Sequence, residues 1–147
     1  DYPDLKLKVI GHCEDRTEYE ALTGGNTNIM FYPGMKYEQI IPEFENCRIF
    51  VLPSRTEALP RVLIEAMACG KPVIGSDVGG IPGMIEDGVN GYLFECENHK
   101  MLAEKMKRIL DNDELAQSMG ESGCKIASEK YSTRRYAELY HRFLSSI

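Results

Sequence analysis

The sequence lacks the features that mark nucleic-acid-binding and membrane-spanning proteins. Its 147 residues include 17 Lys or Arg and 23 Asp or Glu, for a net charge of -6, and such a chain has little basic surface to neutralise phosphates. The one basic segment, residues 125–135, is interpreted as a solvated helix face. No apolar run approaches the ~20 residues that span a bilayer, and the opening residues 1–4 are not a signal peptide. We expect no nucleic-acid partner and a cytoplasmic location.

Closely spaced cysteine pairs are also absent. The five cysteines are Cys13, Cys47, Cys69, Cys96 and Cys124, and none forms the Cys-x-x-Cys pattern of zinc and redox sites. An odd number of cysteines suits a reducing compartment. We therefore expect no zinc or redox site of this type, and we expect most of these cysteines to be small buried apolar residues.

What the sequence does contain is a regular alternation of short apolar runs with helix-prone segments. Strands are predicted at residues 5–11, 28–34, 48–54, 72–77 and 92–94. The first of these changes from alternating to fully apolar, as expected of a strand that enters a buried sheet. Helices are predicted at residues 14–22, 37–47, 59–70, 100–110, 113–131 and from 132 to the end. Gly24-Gly25 and Gly70 are the predicted helix stops, and Asp113 and Ser132 are the predicted N-caps. This alternation predicts a single α/β domain over residues 1–147, with a Rossmann-like parallel sheet and helices on both faces. Ligands of such sheets bind at the carboxyl ends of the strands.

The predicted helix 59–70 contains one carboxylate in an apolar sequence. Between Arg61 and Lys71 the only charged residue is Glu65. Since apolar residues cover nearly every face, this helix is expected to be buried. A buried carboxylate needs a partner or a shifted pKa. That partner is either a contact within the protein or a ligand, and the pattern alone leaves both open.

A second carboxylate, Glu57, lies in the loop before this helix. With Pro60 near the first turn, Glu65 lies about 7 to 9 Å further along the axis at ~1.5 Å per residue. Free N–H groups at a helix start attract phosphate, and carboxylates accept hydrogen bonds from sugar and ribose hydroxyls. The combination suits a nucleotide sugar. The alternative for Glu57 is a first-turn acid that stabilises the helix dipole.

Residues 54–82 resemble a known family. The stretch SRTEALPRVLIEAMACGKPVI, followed by DVGGIP, contains two glutamates separated by seven residues, an AMA-x-G-x-P-V turn and a D-x-G-G-x-P turn. It is similar to the signature of the family 4 (group 1) retaining glycosyltransferases, which have the GT-B fold. Weaker similarity extends over almost the whole chain. The resemblance implies the C-terminal, donor-binding half of such an enzyme.

The resemblance also implies roles for particular residues. Glu57 matches the glutamate that contacts the donor sugar and is the candidate catalytic residue, and Glu65 matches the one that binds the ribose hydroxyls. Two further groups are candidate substrate-binding residues. The loop that meets the sugar and diphosphate corresponds to Ala58, Leu59, Pro60 and Arg61, and the turn beside the base corresponds to Gly34, Met35 and Lys36.

The activity implied is that of a hexosyltransferase of polysaccharide biosynthesis. It moves a sugar from a nucleotide-diphosphate sugar to a glycan or lipid acceptor with retention, without cofactor or metal. The family's first strand of this half, its basic pair and its N-terminal acceptor-binding domain are missing from the sequence, so we expect an inactive fragment that binds donor weakly. The full-length enzyme could associate peripherally with a membrane. Two alternatives stay open: a GT-B-fold sugar-nucleotide epimerase and a non-catalytic nucleotide-binding module.

The predicted terminal helix has apolar residues at helical spacing. They are Tyr136, Leu139, Tyr140, Phe143 and Leu144. They either pack on this domain or, as the resemblance implies, reach the missing one.

Overall fold

The computed structural model describes residues 2–12 and 16–145. It divides into two compact units, Asp1–Ile40 and Ile41–Ile147, which are described separately. Both units contain parallel strands connected by helices, so the predicted α/β class is confirmed. All strands were predicted to form one sheet. In the structure their hydrogen bonds form one two-stranded and one three-stranded sheet.

The first unit is built on one β-α-β element. Strand β1 (Leu7–Ile10), helix α1 (Arg16–Leu22) and strand β2 (Ile29–Tyr32) follow in order, and β1 pairs in parallel with β2. Gly24 and Gly25 adopt positive φ angles directly after α1, as predicted for a helix stop. The expectation that β1 enters a buried sheet was wrong, because Leu7 and Val9 are 44% and 40% exposed.

Helix α2 (Tyr37–Asn46) starts in the first unit and ends in the second. The backbone N–H of Lys36 donates to Gln39 Oε1 at 3.1 Å, and the N–H of Gln39 donates to the Lys36 carbonyl at 2.9 Å. This reciprocal pair satisfies N–H groups that a helix start leaves free. Pro42 lies inside the helix without splitting it.

The second unit holds the remaining elements. In order they are β3 (Phe50–Leu52), α3 (Arg61–Ala68), β4 (Val73–Ser76), a 3-10 turn (Ile81–Gly83), β5 (Gly91–Phe94), α4 (His99–Leu110), α5 (Asp113–Lys130) and α6 (Thr133–Leu144). The strands pair in parallel in the order β3-β4-β5. Every residue of β4 is buried. One buried cluster includes Ile74 of β4 together with Tyr92, Phe94, Ile109 and Met119.

Helix α3 ends in a Schellman motif, as its glycine predicted. Gly70 has φ 70 and donates its N–H to the Met67 carbonyl, while the N–H of Lys71 donates to the Ala66 carbonyl. A side chain on Gly70 would be strained by this φ. Helix α5 crosses close to this end, since a Cβ on Gly120 would lie 2.1 Å from the Gly70 carbonyl oxygen.

The expected burial of α3 on nearly every face was wrong. Leu63, Ala66 and Met67 are fully buried, whereas Val62 is 38% exposed. The buried residues have the i, i+3, i+4 spacing of one helix face. That face packs on the sheet and on α5, and the opposite face is open.

Of the two predicted helix caps, Ser132 is confirmed and Asp113 is wrong. Ser132 caps α6, because its Oγ accepts the N–H of Arg135 at 3.3 Å. The cap of α5 is Asn112 instead of Asp113, since Asn112 Oδ1 accepts the N–H of Leu115 at 2.9 Å. Both residue types cap well. Asp113 falls in the first turn instead, where its charge complements the helix dipole.

Helix α6 is amphipathic and exposed. Four large apolar side chains on it are between 46% and 68% exposed, namely Tyr136, Leu139, Tyr140 and Leu144. Arg134 and Arg135 both form ion pairs with Glu138, and the cations of residues 125–135 are exposed as predicted. Within the part of the chain that the structure describes, no helix is long and apolar enough to cross a membrane.

The expectation of buried cysteines was wrong for those that the structure describes. Cys47, Cys69 and Cys96 are half-buried and Cys124 is exposed; Cys13 lies outside the described residues. All four are free thiols. Burial, ahead of nearby charges, raises the pKa of the Cys47 and Cys69 thiols above its ordinary value, because the thiolate loses solvation.

We expect alkylation by iodoacetamide at pH 8 to modify Cys124 first and Cys47 much later. The thiolate is the nucleophile, and it forms only as the pH approaches the thiol's pKa, which burial has raised for Cys47. Peptide mass spectrometry over a time course measures the order. Equal rates at the two positions in the folded chain would contradict the burial described here.

Candidate functional site

The residues joining β3 to α3, 53–60, form a structured loop, here called the Glu57 loop. Within it, Glu57 is half-buried, and the hydroxyl of Ser54 donates a hydrogen bond to Glu57 Oε1 at 3.1 Å. Pro60 is the N-cap of α3, whose first turn contains no acid. Glu57 therefore lies three residues before the cap. This position argues against a first-turn acid acting on the dipole, whose effect falls off within one turn.

The Glu57 loop is held by the residues at and after the end of β4. Ser76 Oγ donates to the Ser54 carbonyl at 2.5 Å, and the Gly80 N–H donates to the Glu57 carbonyl at 3.2 Å. A Cβ on Gly79 would lie 1.7 Å from the Glu57 carbonyl oxygen. The glycines of the D-x-G-G-x-P turn therefore permit a backbone-to-backbone approach.

Sequence reasoning missed this contact between the two motifs. Ser54 and Ser76 are 22 residues apart, and no periodicity links them. The available signal was the glycine pair at 79 and 80, which marks a place where one backbone approaches another closely. The Glu57 loop also contacts the segment after β5, through an exposed ion pair of 2.8 Å between Arg55 and Glu97.

The start of α3 has no side-chain cap, and its N-cap residue Pro60 is buried between exposed neighbours. Pro60 has extended backbone angles (φ -74, ψ 96), and no side chain caps this end. Ala58, Leu59 and Arg61 are exposed, Leu59 by 60%. An uncapped helix start presents N–H groups and the positive end of the dipole to a bound anion. This end of α3 is therefore suited to a phosphate group.

Glu65 lies one turn along α3. Its side chain is 20% exposed, and Arg61 Nη2 lies 3.9 Å from Glu65 Oε1. Arg61 is thus the partner within the protein that the sequence left open for Glu65, but the distance between the two charged groups is long. The Arg61 side chain is 82% exposed, so solvent screens the pair strongly. The Glu65 carboxylate therefore keeps the capacity to accept hydrogen bonds from hydroxyl groups.

The predicted base-side residues lie in the first unit. Gly34, Met35 and Lys36 connect β2 to α2, with Gly34 and Lys36 exposed. The backbone N–H and carbonyl groups of Lys36 form hydrogen bonds with Gln39 at the start of α2. Their contact with a base stays a prediction. His12 is exposed and lines a cavity of about 220 Å³ within this unit.

The described residues contain no group of three or more metal-ligating side chains of the His, Cys, Asp and Glu type. The site itself contains the carboxylates of Glu57 and Glu65, the exposed Arg61 and backbone donors. These are groups that bind hydroxyls and phosphates through hydrogen bonds and charge.

Comparison with known sequences identifies relatives of this chain. A family model described as "Glycosyl transferases group 1" matches residues 1–126. An uncharacterized glycosyltransferase of Methanocaldococcus jannaschii is 34% identical over 88% of this chain and 37% of its own length. The N,N'-diacetylbacillosaminyl-diphospho-undecaprenol alpha-1,3-N-acetylgalactosaminyltransferase of Campylobacter jejuni is 29% identical over 95% of this chain and 38% of its own length. The chain thus spans less than two fifths of these relatives.

The fold matches solved structures over nearly its whole length. HepE of Anabaena in complex with UDP-glucose superposes with a TM-score of 0.83 at 24% identity, over 99% of this chain and 42% of HepE. At this identity the likeness concerns the fold, and it agrees with the GT-B architecture that the sequence predicted. Together with the match over residues 1–126, these findings establish that the chain belongs to the family of group 1 glycosyl transferases.

Proposed function

We propose that this chain is the donor-binding half of a retaining glycosyltransferase that uses a nucleotide-diphosphate sugar. The observation that carries the proposal is the arrangement around the start of α3. The half-buried Glu57 precedes an uncapped helix end, and the largely buried Glu65 lies one turn beyond it. This order of groups fits a ligand that presents a sugar, a diphosphate and a ribose.

In this proposal each part of the site has a separate role. Glu57 contacts the donor sugar, and Glu65 accepts hydrogen bonds from the ribose hydroxyls. The backbone of residues 58–61 meets the diphosphate, where negative charge grows on the leaving group in an oxocarbenium-like transition state. Arg61, exposed at the same helix end, adds a positive charge there. Gly34, Met35 and Lys36 lie beside the base.

The activity of the whole protein is part of the same proposal. The relatives carry glycosyltransferase names, which favours transfer over the epimerase and the non-catalytic module. We propose a glycan or lipid acceptor, a role in polysaccharide biosynthesis, transfer without a metal and a cytoplasmic location. We also propose that the exposed apolar face of α6 contacts an acceptor-binding domain. With a lipid acceptor, we expect the full-length enzyme to associate peripherally with a membrane.

The nucleotide is tested by titrating this chain with UDP, GDP and ADP. UDP is the first choice, because HepE of the same fold binds UDP and UDP-glucose. We expect one nucleotide to perturb the amide NMR signals of residues 58–65 and to raise the melting temperature. We expect Glu65→Ala to weaken this binding about 10- to 100-fold, because hydrogen bonds to a charged acceptor are worth ~1.5–3 kcal/mol.

The matched control is Glu104→Ala, which removes an exposed glutamate from the interior of α4. Its nucleotide affinity is expected to equal that of the wild type. Two results would count against the proposal. One is the absence of any shift at residues 58–65 with all three nucleotides at millimolar concentration. The other is an equal loss of affinity in the two variants.

A further inference from the structure

We infer that Ser54 is a positioning residue for the Glu57 carboxylate. The inference rests on the proposed function, in which Glu57 meets the donor sugar, and adds the group that fixes the direction of its side chain. Ser54 Oγ and Glu57 Oε1 are 3.1 Å apart, within hydrogen-bonding distance. An ionised carboxylate only accepts hydrogen bonds, so the proton lies on the Ser54 hydroxyl and the direction of donation is fixed.

This hydrogen bond restrains a flexible side chain. A glutamate has three rotatable side-chain bonds, and each leaves several rotamers open unless a contact selects one. The bond between Ser54 and Glu57 is partly buried, which limits competition from water. With one oxygen occupied by Ser54, the Oε2 atom of Glu57 stays available to a donor hydroxyl.

Ser54 is itself connected to the most buried strand. Ser76 is the last residue of β4 and is 1% exposed, and its hydroxyl donates to the Ser54 carbonyl at 2.5 Å. The Gly80 N–H also donates a hydrogen bond to the Glu57 carbonyl. A continuous path of hydrogen bonds therefore runs from the buried end of β4, through Ser54, to the carboxylate. The orientation of Glu57 follows from the position of β4.

The first test compares crystal structures of this chain as wild type, Ser54→Ala and Ser54→Thr. We expect the Glu57 carboxylate of Ser54→Ala to move by more than the ~0.5 Å within which a site must hold a catalytic group, or to occupy several rotamers. Ser54→Thr keeps the hydroxyl and should keep the carboxylate in place. An unmoved, single carboxylate conformer in Ser54→Ala would overturn the inference. This test needs no ligand.

The second test measures UDP release from UDP-glucose by the full-length enzyme. We expect Ser54→Ala to lower kcat about tenfold with KM for UDP-glucose changed less than twofold, and Ser54→Thr to restore most of kcat. The matched control is Ser128→Ala, which removes a hydroxyl bonded to the Lys125 carbonyl on the exposed side of α5. It should leave kcat unchanged.

The outcomes separate the inference from the proposed function. If Glu57→Gln loses turnover while Ser54→Ala retains it, the positioning role fails and the donor site stands. If Glu57→Gln retains turnover, the role proposed for Glu57 fails, and the crystal structures decide whether Ser54 orients its carboxylate. Equal losses of kcat and melting temperature in Ser54→Ala and Ser54→Thr would indicate a structural role only, and would also overturn the inference.

Discussion

Replacing Glu57 by Gln is expected to lower the turnover of the full-length enzyme about 100-fold, a loss of ~2.7 kcal/mol of transition-state stabilisation. The amide keeps the size of the side chain but removes its charge. Its oxygen can still accept the hydrogen bond from Ser54, which leaves the NH₂ group facing the donor sugar. The variant then presents a hydrogen-bond donor where the proposed site needs a hydrogen-bond acceptor. In addition, the positive charge that develops on the sugar ring loses the negative charge that stabilises it.

The effect should fall on kcat, because the charge matters most when the sugar becomes oxocarbenium-like. Steady-state kinetics of Glu57→Gln and of Glu86→Gln, an exposed loop glutamate of the same unit, provide the comparison. Glu86→Gln should behave as the wild type. A kcat within a few-fold of the wild type for Glu57→Gln would remove Glu57 from the catalytic role.

The boundaries of α3 illustrate what local sequence could predict. The glycine at 70 correctly predicted the end of the helix, because a positive φ is a property of that residue itself. The predicted start at Leu59 was two residues early. A residue that precedes proline is disfavoured in the helical region, and Pro60 is the cap, with extended ψ. The helix therefore begins at Arg61.

The environment of α3 depends on packing that its own sequence does not specify. Its apolar residues surround the helix in projection, so the pattern predicted burial on nearly every face. In the structure only the face with Leu63, Ala66 and Met67 is buried, and Val62 is exposed. Which face is covered depends on α5 and the sheet, elements that are distant along the chain.

The candidate site was likewise predicted only in its local features. Glu57 and Glu65 were identified from their spacing and from the resemblance, both of which are local properties of residues 54–82. The contacts from Ser76, Gly79 and Gly80 to the Glu57 loop were not identified. They arise because β3 and β4 are adjacent parallel strands, so the segments after their carboxyl ends meet at one edge of the sheet. The sequence predicted the strands but not the contacts between these segments.

Gly79→Ala is expected to destabilise the chain by about 2 to 4 kcal/mol and to displace the Glu57 loop. Two causes act together. Gly79 has φ +54, a conformation that an alanine adopts at a cost of ~1–2 kcal/mol. In addition, its Cβ would lie 1.7 Å from the Glu57 carbonyl oxygen, so the two backbones must separate. The hydrogen bond from the Gly80 N–H to that same carbonyl, 3.2 Å long, would be lost with the separation.

Gly88→Ala is the matched control for this substitution. Gly88 has φ +81, but a Cβ there would meet nothing within 4 Å, so only the ~1–2 kcal/mol conformational cost applies. Urea denaturation should therefore show a larger loss of unfolding free energy for Gly79→Ala than for Gly88→Ala. Amide NMR spectra should show shifts at residues 54–61 in Gly79→Ala alone. Because the displaced loop carries Glu57, the sugar transfer proposed for the full-length protein should fall in Gly79→Ala and persist in Gly88→Ala. Equal stability and equal turnover of the two variants would mean that the backbone contact between the Glu57 loop and Gly79 does not hold the site together.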